Sequence, residues 1–424
     1  MKFGVVGDDI TGCVDIGLMF HKGNIECDVF TKDSTLCKRI GVEAVIVDTD
    51  SRFTDSALAY QRVYDRVKEL KELGTERYYK KTCSVFRGNI GAEFDAMLDA
   101  SGENFALIVA GFPETGRTTI HSKQYIDGIL LENSQFKNDP MNPMRHSDLR
   151  EIIHMQSSRK AAKIWWEELD KGVAYVKERI SCLRKEYSYV CADVRDRHDL
   201  MILARASEEV TVFGGSSALA LELAMLNANR AVKQEKQELP DRQKGILCVC
   251  GSVTKQSAQQ IKMFQLMDDT VSFAVSPDEL LKQKLEIDSL IQDCAENILH
   301  GRNVLLYTEG TGDAERIRTM QNLAEQFGMS KEQFGILISD TLAEITHRVQ
   351  NQTRQNRLIF AGGETSFHGC QRLGVNDLQI QDEVEPGIPA CIGIGKKTYL
   401  LILKSGSFGS DYFFSRAVSY LKEN

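Results

Sequence analysis

FGVVGDDITG, residues 3–12, is the stretch on which the fold turns. Phe3–Gly7 is a short apolar run, Asp8 and Asp9 break it, and Ile10-Thr11-Gly12 open a segment with helical spacing. A strand that runs through a polar turn into a helix is the first half of a parallel β-α-β unit. In open sheets of this kind ligands sit beyond the carboxyl ends of the strands, which is where the two aspartates fall.

Outward from that stretch the alternation continues to the other end of the chain. In the first half, strands are expected at Phe3–Gly7, Cys27–Thr31, Ala44–Asp48, Phe105–Gly111, Tyr187–Asp193 and Val210–Gly214. Helices are expected at Thr54–Leu73, where Ala57, Tyr60, Tyr64, Val67 and Leu70 share a face, and at Asp170–Leu183, Asp199–Ser207 and Ser217–Met225. RAVKQEKQELPDRQKG, residues 230–245, is polar, contains Pro240 and has no apolar period. The alternation restarts after it, with strands at Ile246–Cys250, Asn303–Thr308, Arg357–Ala361 and Tyr399–Lys404 and helices near 254–266, 287–300, 313–326, 339–351 and 411–422. This predicts two α/β domains, 1–230 and 245–424, joined by a linker at 231–244. Each has a central, mostly parallel sheet flanked by helices, with the active site expected in the cleft between them. ENSQFKNDPMNPMRHSDLR, residues 132–150, reads as a long polar loop of the kind that more often carries function than not.

The 424 residues include 52 Lys+Arg against 60 Asp+Glu, a net charge of −8, with 42% hydrophobic residues, the balance of a globular protein. No basic stripe offers itself to nucleic acid. No apolar run is long enough to cross a membrane, and the N-terminus meets two aspartates before any signal core, so a cytoplasmic protein is expected. Eleven cysteines fit that setting as reduced thiols; Cys248 and Cys250, on opposite faces of a strand, read as buried rather than as zinc ligands.

Four strand exits of the first half are chemically loaded. Asp8-Asp9 follow the first strand; Asp48-Thr49-Asp50-Ser51-Arg52 follow VIV; Lys81-Thr82-Cys83-Ser84-Val85-Phe86-Arg87-Gly88-Asn89 follow YYK; Pro113-Glu114-Thr115-Gly116-Arg117-Thr118 follow FALIVAG. Any one such Asp or Thr could be a helix N-cap. Together, arginine forks suit a carboxylate, and acids and hydroxyls suit a polyol, which points to a small, anionic, hydroxylated metabolite. The second half differs: Gly251-Ser252-Val253-Thr254, Ala361-Gly362-Gly363-Glu364-Thr365-Ser366 and Lys404-Ser405-Gly406-Ser407-Phe408-Gly409 are glycine–hydroxyl turns that suit a nucleotide's phosphates. Gly214-Gly215-Ser216-Ser217 is a fourth such turn. GIGKKT (393–398) resembles a phosphate loop but lacks its leading glycine. No GxGxxG follows the first strand, which weighs against a dehydrogenase, and no histidine stands at a metal-ligand spacing. His121 and His146 lie near the arginine-bearing loops, and Trp165-Trp166 reads as a strand pair split between core and surface.

GDDITG (7–12), DTDSR (48–52), KKTCSVFRGN (80–89), PETGRT (113–118), GSSALA (215–220), GSVT (251–254), AGGETS (361–366), EPGIP (385–389) and KSGSFG (404–409) follow one another in the order found in the four-carbon acid sugar kinase family, which the chain resembles over nearly its whole length. The resemblance implies an ATP-dependent kinase for the terminal (4-) hydroxyl of a tetronate-type acid such as 3-oxo-tetronate, threonate or erythronate, using Mg²⁺ with its ATP. It implies acid contacts from Asp8, Asp9, Arg52, Lys81, Ser84, Arg87, Asn89 and Arg117, and ATP contacts from Ser252, Gly362, Gly363, Glu364, Thr365 and Gly406. Cys83 and Val85 stand where the family has aspartate and threonine, and Glu364 where it has aspartate. Those departures leave open a different sugar acid, or a sugar-acid-binding protein without catalysis. Arg52, Arg87 and Arg117 are expected to include a carboxylate clamp, with Arg87 catalytic and Asp9 orienting or deprotonating the hydroxyl; closure of the domains would exclude water. No metal ligand set of the protein's own is expected. A homodimer is expected, symmetric pairs being the commonest assembly.

Overall fold

The computed structural model describes residues 1–139, 142–228 and 245–424. The chain divides into two compact units, Met1–Gln234 and Glu235–Asn424; the expected linker, 231–244, lies outside the described residues.

In the first unit the strands are β1 (Phe3–Gly7), β2 (Cys27–Phe30), β3 (Ala44–Asp48), β4 (Arg77–Lys81), β5 (Ala106–Val109), β6 (Arg117–Ile120), β7 (Lys123–Ile126), β8 (Ile129–Leu130), β9 (Ala161–Ile164), β10 (Tyr189–Ala192) and β11 (Val212–Gly215). Eight form a wholly parallel sheet in the order β2-β3-β1-β4-β11-β5-β10-β9. Its central strands are buried on both faces, as helix-covered parallel strands must be, which explains their unbroken apolar runs. The chain builds β2 and β3 to one side of β1 and β4 to the other, so the winding reverses at β1. The parting of the two connections there leaves a crevice over the strand ends.

Register fixes what enters that crevice. Gly7 of β1 pairs with Asp48 and Lys81, Lys81 with Gly215, and Gly215 with Val109. The residues that follow, Asp8, Thr49, Thr82, Ser216 and Ala110, therefore leave the sheet at one level. The helix Ile10–Lys22 starts at once because Asp9 caps it, accepting from the Gly12 amide at 2.7 Å.

In the second unit the strands are β12 (Leu247–Cys250), β13 (Thr270–Val275), β14 (Asn303–Thr308), β15 (Arg357–Ala361), β16 (Val375–Glu385), β17 (Ile388–Gly395) and β18 (Thr398–Lys404). Their order is β13-β14-β12-β15-β18-β17-β16, parallel through β18 and antiparallel beyond it. The winding reverses at β12 just as it does at β1. Cys250, Ala361 and Lys404 share one level, so the three glycine–hydroxyl turns emerge side by side.

Several expectations need correction. The helix Ser56–Glu72 buries Ala59, Val63, Val67 and Leu70, while Tyr60 and Tyr64 are only partly covered and Ala57 is exposed. Trp165 and Trp166 are not a strand pair: β9 ends before them, Trp166 opens the helix Trp166–Leu169, and Trp165 is 37% exposed. GIGKKT is the turn of the β17–β18 hairpin, with no helix after it. The loop at 132–150 contains short helical turns at Leu131–Asn133 and Gln135–Asn138; Pro140 lies outside the described residues. Strands β9, β13, β16 and β17 and the small antiparallel sheet β6-β7-β8 were not expected.

Candidate active site

At the first unit's strand exits, cations and acids meet in near-equal number. Asp8 is 1% exposed and receives both prongs of Arg52, Nε at 2.9 Å and Nη2 at 2.8 Å, while Nη1 of Arg52 reaches Asp9. Burial pushes the Asp8 carboxyl up, but Arg52, with Lys80 and Lys81 behind it, outweighs burial and holds it at about 2. The Arg52 fork, expected to face a ligand, is thus taken by the protein's own carboxylates. Lys81 Nζ lies 3.3 Å from Asp15 and donates to the Thr82 carbonyl at 3.0 Å. Burial alone would lower its ammonium; Asp15, Asp8 and Asp9 raise it. Beneath them Lys80 and Glu93 form a fully buried pair at 3.0 Å.

Asp9 divides its carboxylate between the helix cap, Thr11 Oγ1 at 3.1 Å and Arg52. At 14% exposure it is more open than Asp8 or Asp15. Asn89, expected to touch the acid, spends its Nδ2 on the carbonyls of Ser51 and Thr54, both at 2.9 Å, and so staples the Arg52 turn to the next helix. Ser84 sits beside it, its carbonyl accepting from Gln124 Nε2 at 2.6 Å.

Arg87 is held more loosely. Its Nε donates to Cys83 Sγ at 3.4 Å, its Nη1 to Asp139 at 2.5 Å, and its guanidinium lies over the Phe136 ring at 5.4 Å. Burial would raise the Cys83 thiol, but Arg87 and Arg52 lower it overall. Val85, 1% exposed, packs in the same hydrophobic core as Cys83 and Phe136. Arg117 opens β6, with Nη1 on the Thr115 carbonyl; burial is the main influence lowering its guanidinium, and Asp127, Cys83 and Asp15 oppose it. The Gly215–Ser217 turn joins this row too, since Gly215 accepts from the Thr82 amide at 2.9 Å and Ser216 Oγ donates to Gly111 at 2.8 Å. His121 and His146 are exposed and paired with Glu167 and Glu151.

The second unit presents a different surface. Gly362 takes φ +122°, and the helix Gly363–Leu373 that follows has no side-chain cap, so its first-turn amides stay available to an anion. A Cβ on Gly362 would come within 2.9 Å of Thr365 Oγ1 and 3.2 Å of the Ser252 amide, and one on Gly406 within 2.5 Å of Ser252 Oγ. Ser252, Gly362, Gly363, Thr365 and Gly406 are therefore one cradle. A chain of hydroxyls ties it together: Ser257 donates to Ser252 at 2.8 Å, and Thr254 to the Gly406 carbonyl at 2.8 Å. Glu364 stands on the first turn, 3.6 Å from His368, whose other nitrogen lies 2.6 Å from Asp340. Burial would lower this imidazole, but the two carboxylates raise it.

Sequence reasoning passed over Asp15, Glu93, Gln124, Asp139, Asp193, Ser257, Asp340 and His368. Asp139 lay in a loop already suspected of function. The others stand mostly inside helices or strands, where one acid gives no sign of what it meets across the fold.

The comparisons with known proteins divide the chain in the same sense. Family models for a sugar-binding N-terminal domain and a nucleotide-binding C-terminal domain match residues 3–223 and 247–414. The chain is 29% identical to 3-oxo-tetronate kinase of Pseudomonas savastanoi pv. phaseolicola, over 99% of its own length and 97% of that protein's. It is 28% identical to D-threonate kinase of Salmonella typhimurium, over 100% and 99%. Among solved structures, Haemophilus influenzae protein HI1011 superposes with a TM-score of 0.71 at 25% identity, covering 99% of this chain and 100% of that one. With a cationic, hydroxyl-bearing row in one unit, a glycine cradle in the other and matches along its whole length, the chain belongs to the four-carbon acid sugar kinase family.

Proposed function

We propose that the protein is an ATP-dependent kinase that phosphorylates the terminal (4-) hydroxyl of a four-carbon acid sugar such as 3-oxo-tetronate, threonate or erythronate. The observation that carries this reading is the pairing of two unlike rows of strand exits: β1, β3 and β4 end in Asp8, Arg52 and Lys81–Ser84, while β12, β15 and β18 end in glycine turns beside an uncapped helix. The first suits a hydroxylated carboxylate, the second a polyphosphate. The names of the relatives support the same substrate class.

Phosphoryl transfer asks mainly for alignment and for charge to be neutralised. Arg87 and Arg117 grip the acid's carboxylate. Arg52, Lys81, Ser84 and Asn89 shape the wall around its hydroxyls, with Arg52 held in place by Asp8. Asp9, more open than Asp8 or Asp15, orients the attacking hydroxyl and takes its proton. Ser252, Gly362, Gly363, Thr365 and Gly406 receive the nucleotide. Mg²⁺ neutralises charge on the ATP phosphates when bound. Among the described residues no group of three or more His, Cys, Asp or Glu is arranged to hold a metal alone. Glu364, on the first turn of the uncapped helix, would hold an ion carried by the nucleotide, which keeps its waters and needs few carboxylates.

A coupled ADP-release assay against four- and five-carbon aldonic and oxo-acids tests the reading. Turnover confined to four-carbon acids, with the phosphate found on O4 by ³¹P NMR, is the expected result. Turnover of a five-carbon acid alone would assign a different substrate. Acid binding without ADP release from any member would make the protein a sugar-acid binder.

A further inference from the structure

The second unit hides a cation that the nucleotide cradle has not yet been seen to use. Lys404, the last residue of β18, is fully buried. Its ammonium meets uncharged oxygens: the carbonyls of Ser405 at 2.9 Å, Gly406 at 3.1 Å and Phe408 at 3.2 Å, and Ser257 Oγ at 3.5 Å. Among the described residues no carboxylate lies in ion-pair range of it. Glu385, whose charge it feels, is already engaged by the Ser410 amide at 2.7 Å, by Ser410 Oγ at 2.7 Å and by Arg416 at 3.2 Å. A buried charge without a counter-ion is costly to keep, and here its donors go to the three carbonyls of a single turn.

Those carbonyls decide where the turn's amides point. In a planar trans peptide the C=O of one residue and the N–H of the next lie on opposite sides. With the Ser405, Gly406 and Phe408 carbonyls drawn inward to Lys404, the N–H groups of Gly406, Ser407 and Gly409 are turned away from it. None of these three donates to a protein acceptor among the described residues. The turn is thus a row of outward amides with a positive charge beneath, beside Ser252 and the uncapped helix at Gly363.

We propose that Lys404 is the positioning residue of the nucleotide site: it holds the 405–409 turn with its amides toward the polyphosphate and supplies the balancing charge from below, without touching the ligand. The inference rests on the nucleotide reading of this unit. Burial lowers the ammonium to about 8, so its charge is lost as the solution becomes mildly alkaline. The groups facing it are Cys250 of β12, whose thiol burial pushes up, Glu385 at the end of β16, Ser257 of the helix Lys255–Phe264, and the Phe413 ring at 5.6 Å on the last helix.

The test is calorimetric titration of the full chain with ATP and Mg²⁺ between about pH 7 and about pH 9.5, with the KM for the sugar acid as control. The native protein should lose about tenfold in ATP affinity across that range as Lys404 deprotonates. Lys404→Met should bind ATP about tenfold more weakly at pH 7, with a flat profile and an unchanged KM for the acid. Lys404→Arg, which stays charged, should keep most of the affinity and also lose the alkaline fall. Native ATP affinity that stays flat through pH 9.5 would overturn the proposal, as would a Lys404→Met protein with native affinity and profile. If Lys404→Met does not fold, the native and Lys404→Arg profiles decide. No binding of ATP by the native protein at any pH would overturn the nucleotide reading itself, and this inference with it.

Discussion

Arg87 differs from its cationic neighbours in how little holds it. Arg52 is gripped by Asp8 and Asp9, Lys81 by Asp15 and Lys80 by Glu93, whereas Arg87 gives one N–H to Asp139 and one to a thiol, leaving its Nη2 without an acceptor among the described residues. A spare prong on a buried fork is what a clamp for a small carboxylate needs. Arg87→Lys keeps the charge and loses the fork; kcat/KM for the acid should fall about 100-fold with the KM for ATP unchanged, as steady-state kinetics will show. Asp8 makes a prediction of another kind. Its folded carboxyl, at about 2, lies below the ordinary 3.8, so its ion pair stabilises the protein fully above about pH 4 and loses that contribution as pH falls through 2. Asp8→Asn should be destabilised by about 3 kcal/mol at neutral pH, where Arg52 loses the carboxylate that takes two of its three donor contacts and keeps only Asp9. Urea unfolding should show the gap from the native protein narrowing from pH 4 toward pH 2. The motif at 80–89 identified the residues; that Cys83 meets Arg87 was settled by the β4 exit and not by the motif.

Two elements depend on single residues that hold the chain in conformations it would not adopt alone. The β6–β7 turn places His121 and Ser122 at φ +51° and +67°, and Asp193, just past β10, receives their amides at 2.7 and 2.8 Å and that of Trp166 at 3.1 Å. Asp193→Ala leaves three amides without that acceptor and should cost about 2–4 kcal/mol in urea unfolding. It should also lower acid turnover, because Arg117 and Gln124 ride on β6 and β7. Gly362, at φ +122° and close to Thr365 and Ser252, has room for neither a Cβ nor its strain. Gly362→Ala should raise the KM for ATP about tenfold or more and leave the KM for the acid alone. Elements of this kind divide by what the sequence could reveal. Strands buried on both faces and helices with aspartate caps were legible, since apolar runs and caps are local signals. The β16–β17 hairpin and β9 were not, because short or half-exposed strands carry a weak pattern and their pairing partners lie elsewhere in the chain.

At the scale of the whole molecule, each unit repeats one device, a sheet whose winding reverses at its first strand, and the matching family models are described as sugar-binding for one and nucleotide-binding for the other. Ligands that bind the native state stabilise it by mass action, by about 3 kcal/mol at a hundredfold excess over Kd. Thermal unfolding of native protein should therefore rise with either the sugar acid or ATP. Arg87→Lys should shrink the response to the acid alone, and Gly362→Ala the response to ATP alone. The α/β alternation, the turns that bear chemistry and the family to which they belong were legible in the chain alone, because apolar strand runs, caps and glycine turns are written within a few residues. The partners emerge only in three dimensions: Arg52 closes on Asp8 across 44 residues, Arg87 on Asp139 across 52, and Lys404 on a turn of carbonyls. The reason is geometric: which side chains meet depends on strand order and register, and the local periodicity of a chain contains neither.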